Sequence, residues 1–352
     1  MPIKFKSKIA CVALLLFGCN FVNAQEGAYS SYSPYSVFGM GDICRQGTVY
    51  NLSMGGTGIA SRNHRFINYL NPAAITARDT LSFMMDFGLV GEGKLYKQGD
   101  VKSASNLLNI SNVAFTVPIY KKSAFVAGIS PYSSMGYDFS HDITDPSLIG
   151  SVGNINYRSY GEGGVYQIFA GGAATFWNKL SVGAQFLYYF GNIDKSTIMN
   201  FSESSYRDVY SGYILNLNAI GGNFGVQYEQ ALPSGLSLTV GATYKTSSKL
   251  KGYVTDYKYA TVSSVTDTLK YKTDTLSHGS NVKLASEYGV GIALKKGDRW
   301  RAEFNYTRSD WRNSNLENVI GFANAGDAKF STTYSQSFRA GFEIVPGRND
   351  IR

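Results

Sequence analysis

Residues 180–191 read LSVGAQFLYYFG, and this stretch decides the fold class because two kinds of side chain alternate along it. One face is wholly apolar and consists of Leu180, Val182, Ala184, Phe186, Tyr188 and Phe190. The opposite face is smaller and more polar, as Ser181, Gly183 and Gln185 show. A helix has a period of about 3.6 residues and would mix these two sets. The stretch therefore predicts a β-strand with one apolar face.

The same alternation returns along most of the chain. It is clear in residues 236–245 and again in residues 300–307. Taken together, the alternating segments predict ten strands, at about residues 81–96, 109–120, 123–137, 157–176, 179–192, 212–230, 235–252, 282–296, 299–311 and 336–346.

The connections between these strands distinguish a barrel from a soluble sandwich. Short links near residues 121–122, 178, 233–234 and 297–298 alternate with long polar links at residues 138–156, 193–211, 253–281 and 312–334. Outer-membrane barrels have tight periplasmic turns and long extracellular loops, whereas a sandwich has no reason to follow this rule. The sequence therefore predicts an all-β protein, a transmembrane antiparallel β-barrel in the outer membrane of a Gram-negative cell.

The N-terminus resembles an export signal. Lys4, Lys6 and Lys8 precede an apolar run over residues 9–17, and Val-Asn-Ala at residues 22–24 offers a cleavage site. An alternative places a lipid on Cys19, although the bulky Phe17 fits a lipobox poorly. The predicted domains are a signal peptide (1–24), an N-terminal plug (25–80) and a barrel (81–352).

The end of the sequence does not resemble a closing strand. Residues 345–352 read VPGRNDIR, which is typical of a turn rather than of an amphipathic strand. We therefore expect the barrel to be incomplete at its C-terminus.

Composition argues against an enzyme or a nucleic-acid-binding protein. The formal net charge is +8, but the Lys and Arg residues are scattered and form no basic cluster. His64, His141 and His278 lie far apart, and no catalytic or metal-binding motif is present. Cys44 is predicted to be an unreactive loop cysteine. We therefore expect no enzymatic activity, no cofactor, no metal and no nucleic-acid partner.

Ionisable residues fall on the predicted inward face of several strands, where they avoid the cost of facing lipid. These candidate lumen charges are Asp86, Lys245, Lys283, Glu287, Arg301, Glu303, Arg339 and Glu343. Their mixed signs predict paired charges that pack against a plug.

Glycines interrupt one predicted strand. Leu215, Leu217 and Ala219 occupy odd positions, whereas Phe224 and Val226 occupy even positions. A one-residue bulge at Gly221–Gly222 would produce this change of parity, so we expect a bulge there.

The segment before the first strand carries a family resemblance. Residues 71–73 read Asn-Pro-Ala, residues 54–58 read MGGTG, and residues 32–42 read YSPYSVFGMGD. The first two motifs resemble the N-terminal hatch of hydrophobic-compound transporters of the FadL/TodX type, and residues 32–42 resemble the mature start of related barrel proteins. The resemblance implies a fourteen-stranded barrel, a plug in the lumen with Asn71, Pro72 and Ala73 as its motif, and passage of apolar ligands.

The same resemblance implies lateral release of ligand through a kink in the third strand. The third predicted strand contains Ser130, Pro131 and Tyr132. Because proline has no backbone N–H and every strand of a closed barrel is central, Pro131 should interrupt the hydrogen-bond ladder. Our hypothesis is a lateral gap at Pro131, and the alternative is an ordinary bulge at the barrel rim.

The sequence favours passive uptake of small hydrophobic molecules, such as long-chain fatty acids, across the outer membrane. We expect the ligand to reach a pocket between plug and wall, lined by groups such as Tyr132 and Tyr189. Expected partners are outer-membrane lipids and a hydrophobic ligand. Asn-Pro-Ala is also similar to a motif of PorV-like barrels of type IX secretion, so a barrel that binds a protein partner remains an alternative. A diffusion pore for polar solutes is a third.

Overall fold

A computed structural model describes residues 31–77, 83–120, 122–147, 149, 153–203, 205–262, 265–276, 281–322 and 331–346. The predicted signal peptide and the predicted final turn after residue 346 lie outside these residues.

Strands dominate the described chain. They are β1 (Asp42–Ile43), β2 (Met84–Gln98), β3 (Val101–Tyr120), β4 (Ser123–Ile143), β5 (Ile155–Phe176), β6 (Leu180–Phe201), β7 (Asp208–Leu232), β8 (Leu236–Lys245), β9 (Ser248–Val262), β10 (Val265–Thr275), β11 (Lys283–Leu284), β12 (Ser286–Lys296), β13 (Trp300–Asp310) and β14 (Tyr334–Ile344). The helical elements are short: α1 (Val49–Ser53) and 3-10 turns at Pro34–Val37, Pro72–Ala77, Pro233–Gly235 and Leu316–Asn318. Among the described residues, no helix is long and apolar enough to cross a membrane.

Ten of the strands form one curled antiparallel sheet. Its order is β14-β13-β12-β8-β7-β6-β5-β4-β3-β2, and the ten predicted strands are thereby confirmed. β3 begins at Val101 rather than near residue 109, so a tight turn joins it to β2. The link predicted over residues 193–211 is largely strand, because β6 runs to Phe201 and β7 begins at Asp208. The link predicted over residues 253–281 is also largely strand, because β9 continues beside β7 and pairs with β10.

The two ends of the sheet differ as the connections predict. At one end, here called the turn end, adjacent strands are joined by links such as residues 177–179 and 297–299. Asn178 (φ 59°) and Gly297 (φ 51°) adopt the left-handed conformation that such tight turns require. The opposite end, here called the loop end, carries most of the longer connections and the β9–β10 hairpin.

The exterior of the sheet is apolar near the turn end. On β6, Val182 and Phe186 are 45% and 52% exposed, whereas Ser181 and Gln185, which directly precede them, are buried. Outward residues such as Phe186, Phe224, Ile292 and Phe304 define an apolar band on the exterior of the sheet. In a soluble sandwich the apolar side chains face inward, so this arrangement is the opposite of that of a sandwich. It supports the predicted barrel.

Near the loop end the inward face of the sheet is apolar and the outward face is polar, which is the opposite of the arrangement near the turn end. On β7, Leu215 and Leu217 are buried on the inward face, whereas Asn216 lies exposed on the outer face. Beyond the apolar band, the wall therefore encloses an apolar core and presents a polar exterior.

The bulge predicted at Gly221–Gly222 is wrong. The β6–β7 register runs unbroken through Leu187↔Gly221 and Phe186↔Gly222. The odd residues stay inward throughout, and only their chemistry changes, from leucine to polar side chains that meet the plug. The extra residue lies instead between β8 and β9, which pair with β7 one after the other. Ala219 pairs with Leu250 and Asn223 pairs with Lys245, so four residue steps on β7 lie opposite five steps from Lys245 to Leu250.

We predict that Phe186→Arg lowers the stability of the barrel in phospholipid vesicles by about 2–4 kcal/mol, because the outward position would face hydrocarbon. Asn192→Arg is the matched control, since Asn192 lies exposed on the same strand and face but beyond the apolar band. Urea titration of vesicle-folded protein measures both changes. Equal losses for the two variants would contradict the assignment of the band.

Candidate functional site

The Asn-Pro-Ala motif lies at the centre of the concave face. Asn71 is fully buried, and its side-chain Nδ2 donates to the Ile59 carbonyl at 2.7 Å. The same nitrogen lies 3.3 and 3.4 Å from the carbonyls of Val226 and Ala242 in the wall. Its Oδ1 accepts from the Ala73 N–H at 3.0 Å, which caps the turn that Pro72 begins. Asn71 therefore joins the plug to β7 and β8.

Two wall glycines make this close approach possible. A Cβ at Gly225 would lie 2.0 Å from Asn71 Oδ1, and one at Gly183 would lie 2.6 Å from the Pro72 carbonyl carbon. No side chain fits at such distances, so the plug is seated on the bare backbone of β6 and β7.

Arg62 makes a second connection that the sequence analysis missed. Its side chain is almost fully buried and forms an ion pair with Glu229 at 3.1 Å. It also donates to Ser181 Oγ at 2.7 Å and to Gln227 Oε1 at 3.1 Å. Gln227 in turn donates to the Ile59 carbonyl at 2.9 Å. The polar residues on the inward face of β6 and β7 indicate that this wall contacts a polar part of the plug. The bulge predicted at Gly221–Gly222 assigned those residues of β7 to the outward face, so the sequence did not reveal the contact.

Several candidate lumen charges meet the plug or each other. Glu303 is buried and accepts from the Ala60 N–H at 2.9 Å. Arg301 donates to the Tyr50 hydroxyl at 2.6 Å, and that hydroxyl donates to Glu343 at 2.8 Å. These contacts place one edge of the plug against β13 and β14.

The remaining candidate charges are more dispersed. Glu287 pairs with Lys245 at 3.1 Å, and Arg339 Nη1 lies 3.5 Å from the Gly56 carbonyl. Asp86 accepts a hydrogen bond from the Asn112 side chain at 2.5 Å.

Lys283 departs from its predicted inward direction. It is exposed, while Leu284 beside it is buried. Regular alternation from the inward residue Glu287 would place Lys283 on the inward face as well. An irregularity at Ala285, between β11 and β12, reverses this direction.

The hydrogen-bond ladder between β3 and β4 is interrupted at the predicted place. Pairing runs from Tyr120↔Ser123 to Val113↔Ile129 and then ends. On its other side, β4 pairs Pro131 with Tyr166 and then Ser133 with Val165, so Tyr132 is an extra residue. Pro131 thus coincides with a bulge on one side of β4 and with the end of the ladder on the other.

Residues 31–46 of the plug, here called the gap segment, occupy the edge of β4 that β3 leaves. β1 pairs with β4 through Asp42↔Ser134 and Ile43↔Ser133. The Cys44 N–H donates to the Tyr132 carbonyl at 2.9 Å, and the Ser33 N–H donates to the Gly136 carbonyl at 2.8 Å.

Side chains extend these contacts to both sides of the gap. Gln46 Nε2 donates to the Pro131 carbonyl at 2.7 Å, and Ser130 Oγ donates to Gln46 Oε1 at 3.1 Å. Across the gap, the Tyr32 hydroxyl lies 2.9 Å from Ser103 Oγ on β3. Ile43 is 51% exposed, so an apolar side chain of the gap segment faces outward.

The interior above the plug is packed with apolar side chains. Tyr69 of the plug stacks on Phe169 with ring centroids 4.4 Å apart. Tyr132 and Tyr189, predicted to line a pocket, instead contact each other edge to face at 4.9 Å. The cluster continues toward the loop end through Leu187, Ile193, Leu215, Leu250, Val254, Val319 and Phe322.

No group of three or more potential metal ligands occurs within the described parts of the chain. The site offers hydrogen bonds, paired charges and packing, and none of the arrangements above activates a nucleophile.

Comparisons with known proteins agree with this geometry. A sequence profile of the family described as BamG matches residues 6–352. The chain belongs to the BamG family. No curated protein matches the sequence.

Two solved structures share the fold of this BamG family member. The CymD monoaromatic hydrocarbon channel is 15% identical with a TM-score of 0.54, covering 88% of this chain and 81% of its own. The Ralstonia pickettii toluene transporter TbuX is 17% identical with a TM-score of 0.53, covering 85% of this chain and 82% of its own. The predicted resemblance to the FadL/TodX type is confirmed at the level of fold, and both neighbours are described as a channel or transporter rather than as enzymes.

We predict that Gly225→Ala loosens the plug by about 1–3 kcal/mol, because the added methyl group collides with Asn71 and Pro72. Tryptic cleavage at the buried Arg62 should become faster. Gly91→Ala is the matched control, since a Cβ there meets nothing within 4 Å. Unchanged cleavage in the Gly225 variant would show that the plug is not seated on this glycine.

Proposed function

We propose that this protein is an outer-membrane barrel for passive uptake of small hydrophobic molecules, including long-chain fatty acids. The observation that carries the proposal is the end of the β3–β4 ladder at Val113↔Ile129, with the gap segment along β4 beyond it. The fold shared with a hydrocarbon channel and a toluene transporter supports it. In this account the turn end is periplasmic and the loop end extracellular.

The proposed route avoids the polar contacts beneath the plug. Asn71, Arg62 and Glu303 hold the plug against the wall, so straight passage would break buried hydrogen bonds and an ion pair. Lateral exit needs the gap segment to leave β4 and to release its hydrogen bonds with Ser103 and Lys195. The ligand then reaches the lipid beside the apolar band without crossing the polar base of the lumen.

The gap segment is held by separate hydrogen bonds, such as those of Ser33, Cys44 and Gln46, and not by one continuous ladder. β4 and β5 pair along almost their full length, whereas β1 supplies a bridge of two residue pairs. A typical hydrogen bond contributes a net of about 1 kcal/mol, so a short bridge opens far more readily than a ladder.

A disulfide across this bridge tests the route. Ile43→Cys and Ser133→Cys, combined with Cys44→Ser, would join directly opposed residues. We expect oxidation to abolish oleate and toluene uptake into proteoliposomes and dithiothreitol to restore it, because the gap segment can no longer leave β4.

The control places a disulfide where no movement is proposed. Tyr306 and Phe338 face each other across β13 and β14, so Tyr306→Cys with Phe338→Cys should leave uptake unchanged in either redox state. Full uptake through the oxidised gap-segment variant would exclude lateral exit at this position.

A second candidate function is a barrel that binds a protein partner in secretion or surface assembly. The packed interior favours it, as does the β9–β10 hairpin, which exposes Val265, Leu269 and Tyr271. Absence of oleate and toluene uptake by the wild-type protein, together with loss of a co-purifying envelope protein when residues 256–272 are replaced by a short turn, would favour this function.

A further inference from the structure

A cavity of about 540 Å³ lies at the loop end, apart from the Asn-Pro-Ala motif and the gap at Pro131. Strands β5, β6, β7 and β9 form most of its wall, Tyr137 of β4 and Lys270 of β10 complete it, and residues 317–321 also line it. Val37 of the gap segment also contributes to the lining. The volume is in the range of sites for small organic ligands, which is about 300–1,000 Å³.

Residues that are paired across adjacent strands form rows along the wall of this cavity. In the first row, Gly161↔Lys195, Lys195↔Tyr213 and Tyr213↔Asp256 are neighbours across four strands. The absence of a side chain at Gly161 leaves room for the Tyr137 ring, to which a Cβ there would approach within 2.3 Å. Two tyrosines, one lysine and one aspartate therefore share one level of the wall.

The next row adds hydroxyl groups and a second lysine. Ser159↔Thr197, Thr197↔Ser211 and Ser211↔Lys258 lie one step closer to the loop end. The lining is thus polar and aromatic, in contrast to the leucine-rich core beneath it.

Lys195 has an unusual environment for an ammonium group. It is only 7% exposed, and its Nζ donates to the Val37 carbonyl at 2.8 Å. Among the described ion pairs, none joins Lys195 to a carboxylate, and Asp256 in the same row is paired with Lys270. Burial lowers the pKa of Lys195 to about 8, which leaves it largely charged at neutral pH.

An ammonium with one hydrogen bond and no carboxylate partner among the described residues is costly to bury, because two of its three donors lack a protein acceptor there. The position is beyond the apolar band, since the outward neighbours of Lys195 are Asp194 and Ser196. Lipid headgroups are therefore not its natural partner. Three lysines line the cavity, at 195, 258 and 270, against the two carboxylates Asp256 and Glu317, so the lining carries a net positive charge.

We propose that this cavity binds a small aromatic monocarboxylate whose carboxylate pairs with Lys195. The aromatic ring would lie among Tyr137, Tyr157 and Tyr213, where stacked or edge-to-face contacts are available. The hydroxyl groups of Ser159 and Thr197 supply further donors to the carboxylate. This inference concerns binding at the loop end and does not require lateral transport.

Equilibrium dialysis of radiolabelled benzoate against the full chain in nanodiscs tests the site, with neutral benzamide as the probe of matched shape and empty nanodiscs as the blank. Wild type should prefer benzoate by at least about tenfold. Lys195→Gln should abolish that preference, and Lys195→Arg should retain it because the charge is kept. Lys251→Gln, on the exposed outer face of β9, should behave as wild type.

Equal binding of the two probes by wild type would overturn the proposal. So would an unchanged preference in Lys195→Gln, with folding verified by the heat-dependent gel shift of the barrel. Toluene uptake by wild-type protein from the same batch, reconstituted in proteoliposomes because nanodiscs enclose no volume, separates this outcome from failure of the proposed transport function. Toluene has no carboxylate, so its uptake does not need the charge of Lys195.

Discussion

The backbone of β4 beyond Ile129 needs hydrogen-bond partners that β3 does not supply. In apolar surroundings an unpaired N–H or C=O costs several kcal/mol, so a barrel wall cannot simply end its ladder there. The gap segment meets this need, because Cys44 and Ser33 donate to β4 carbonyls and Gln46 donates to the carbonyl of Pro131. The position of the plug and the continuity of the wall therefore depend on the same few hydrogen bonds.

This dependence divides the plug into two parts with different attachments. The part that contains Arg62 and Asn71 is fixed by buried polar contacts and by wall glycines that admit its backbone. The gap segment lies against the edge of β4. It is fixed by the two-pair bridge, by the backbone hydrogen bonds of Ser33 and Cys44, and by the close approach of its backbone to Gly136. A displacement of the gap segment would open the side of the barrel while the rest of the plug stays in place. The cavity at Lys195 shares Val37 with the gap segment, so it adjoins the part of the plug that completes the wall beside β4.

The alternation of apolar and polar residues was sufficient to predict ten strands and the outward band. Successive side chains of a strand point to opposite faces, so the residue types, such as Phe186 and Ser181, show directly which face each lies on. Pro131 was also informative, because a residue without a backbone N–H cannot donate a hydrogen bond to the neighbouring strand. The alternation of odd and even positions predicted the wrong structure where the chemistry of the inward face changed, as at Gly221. It also predicted the wrong side-chain direction at Lys283, because the irregularity at Ala285 reverses it. Contacts such as Arg62 with Glu229 join residues far apart in the chain, and no local pattern identifies the partner.

Hydrogen exchange measured residue by residue tests the central claim most directly, namely that the gap segment is a separable part of the wall. The amides of Ser33 and Cys44, which donate to β4, are compared with the amide of Ala127 within the intact β3–β4 ladder. The account predicts exchange at Ser33 and Cys44 that is faster by at least about a hundredfold, through local opening while the barrel stays folded. Exchange of all three amides at one common slow rate would contradict it, because the gap segment would then open only when the whole barrel unfolds.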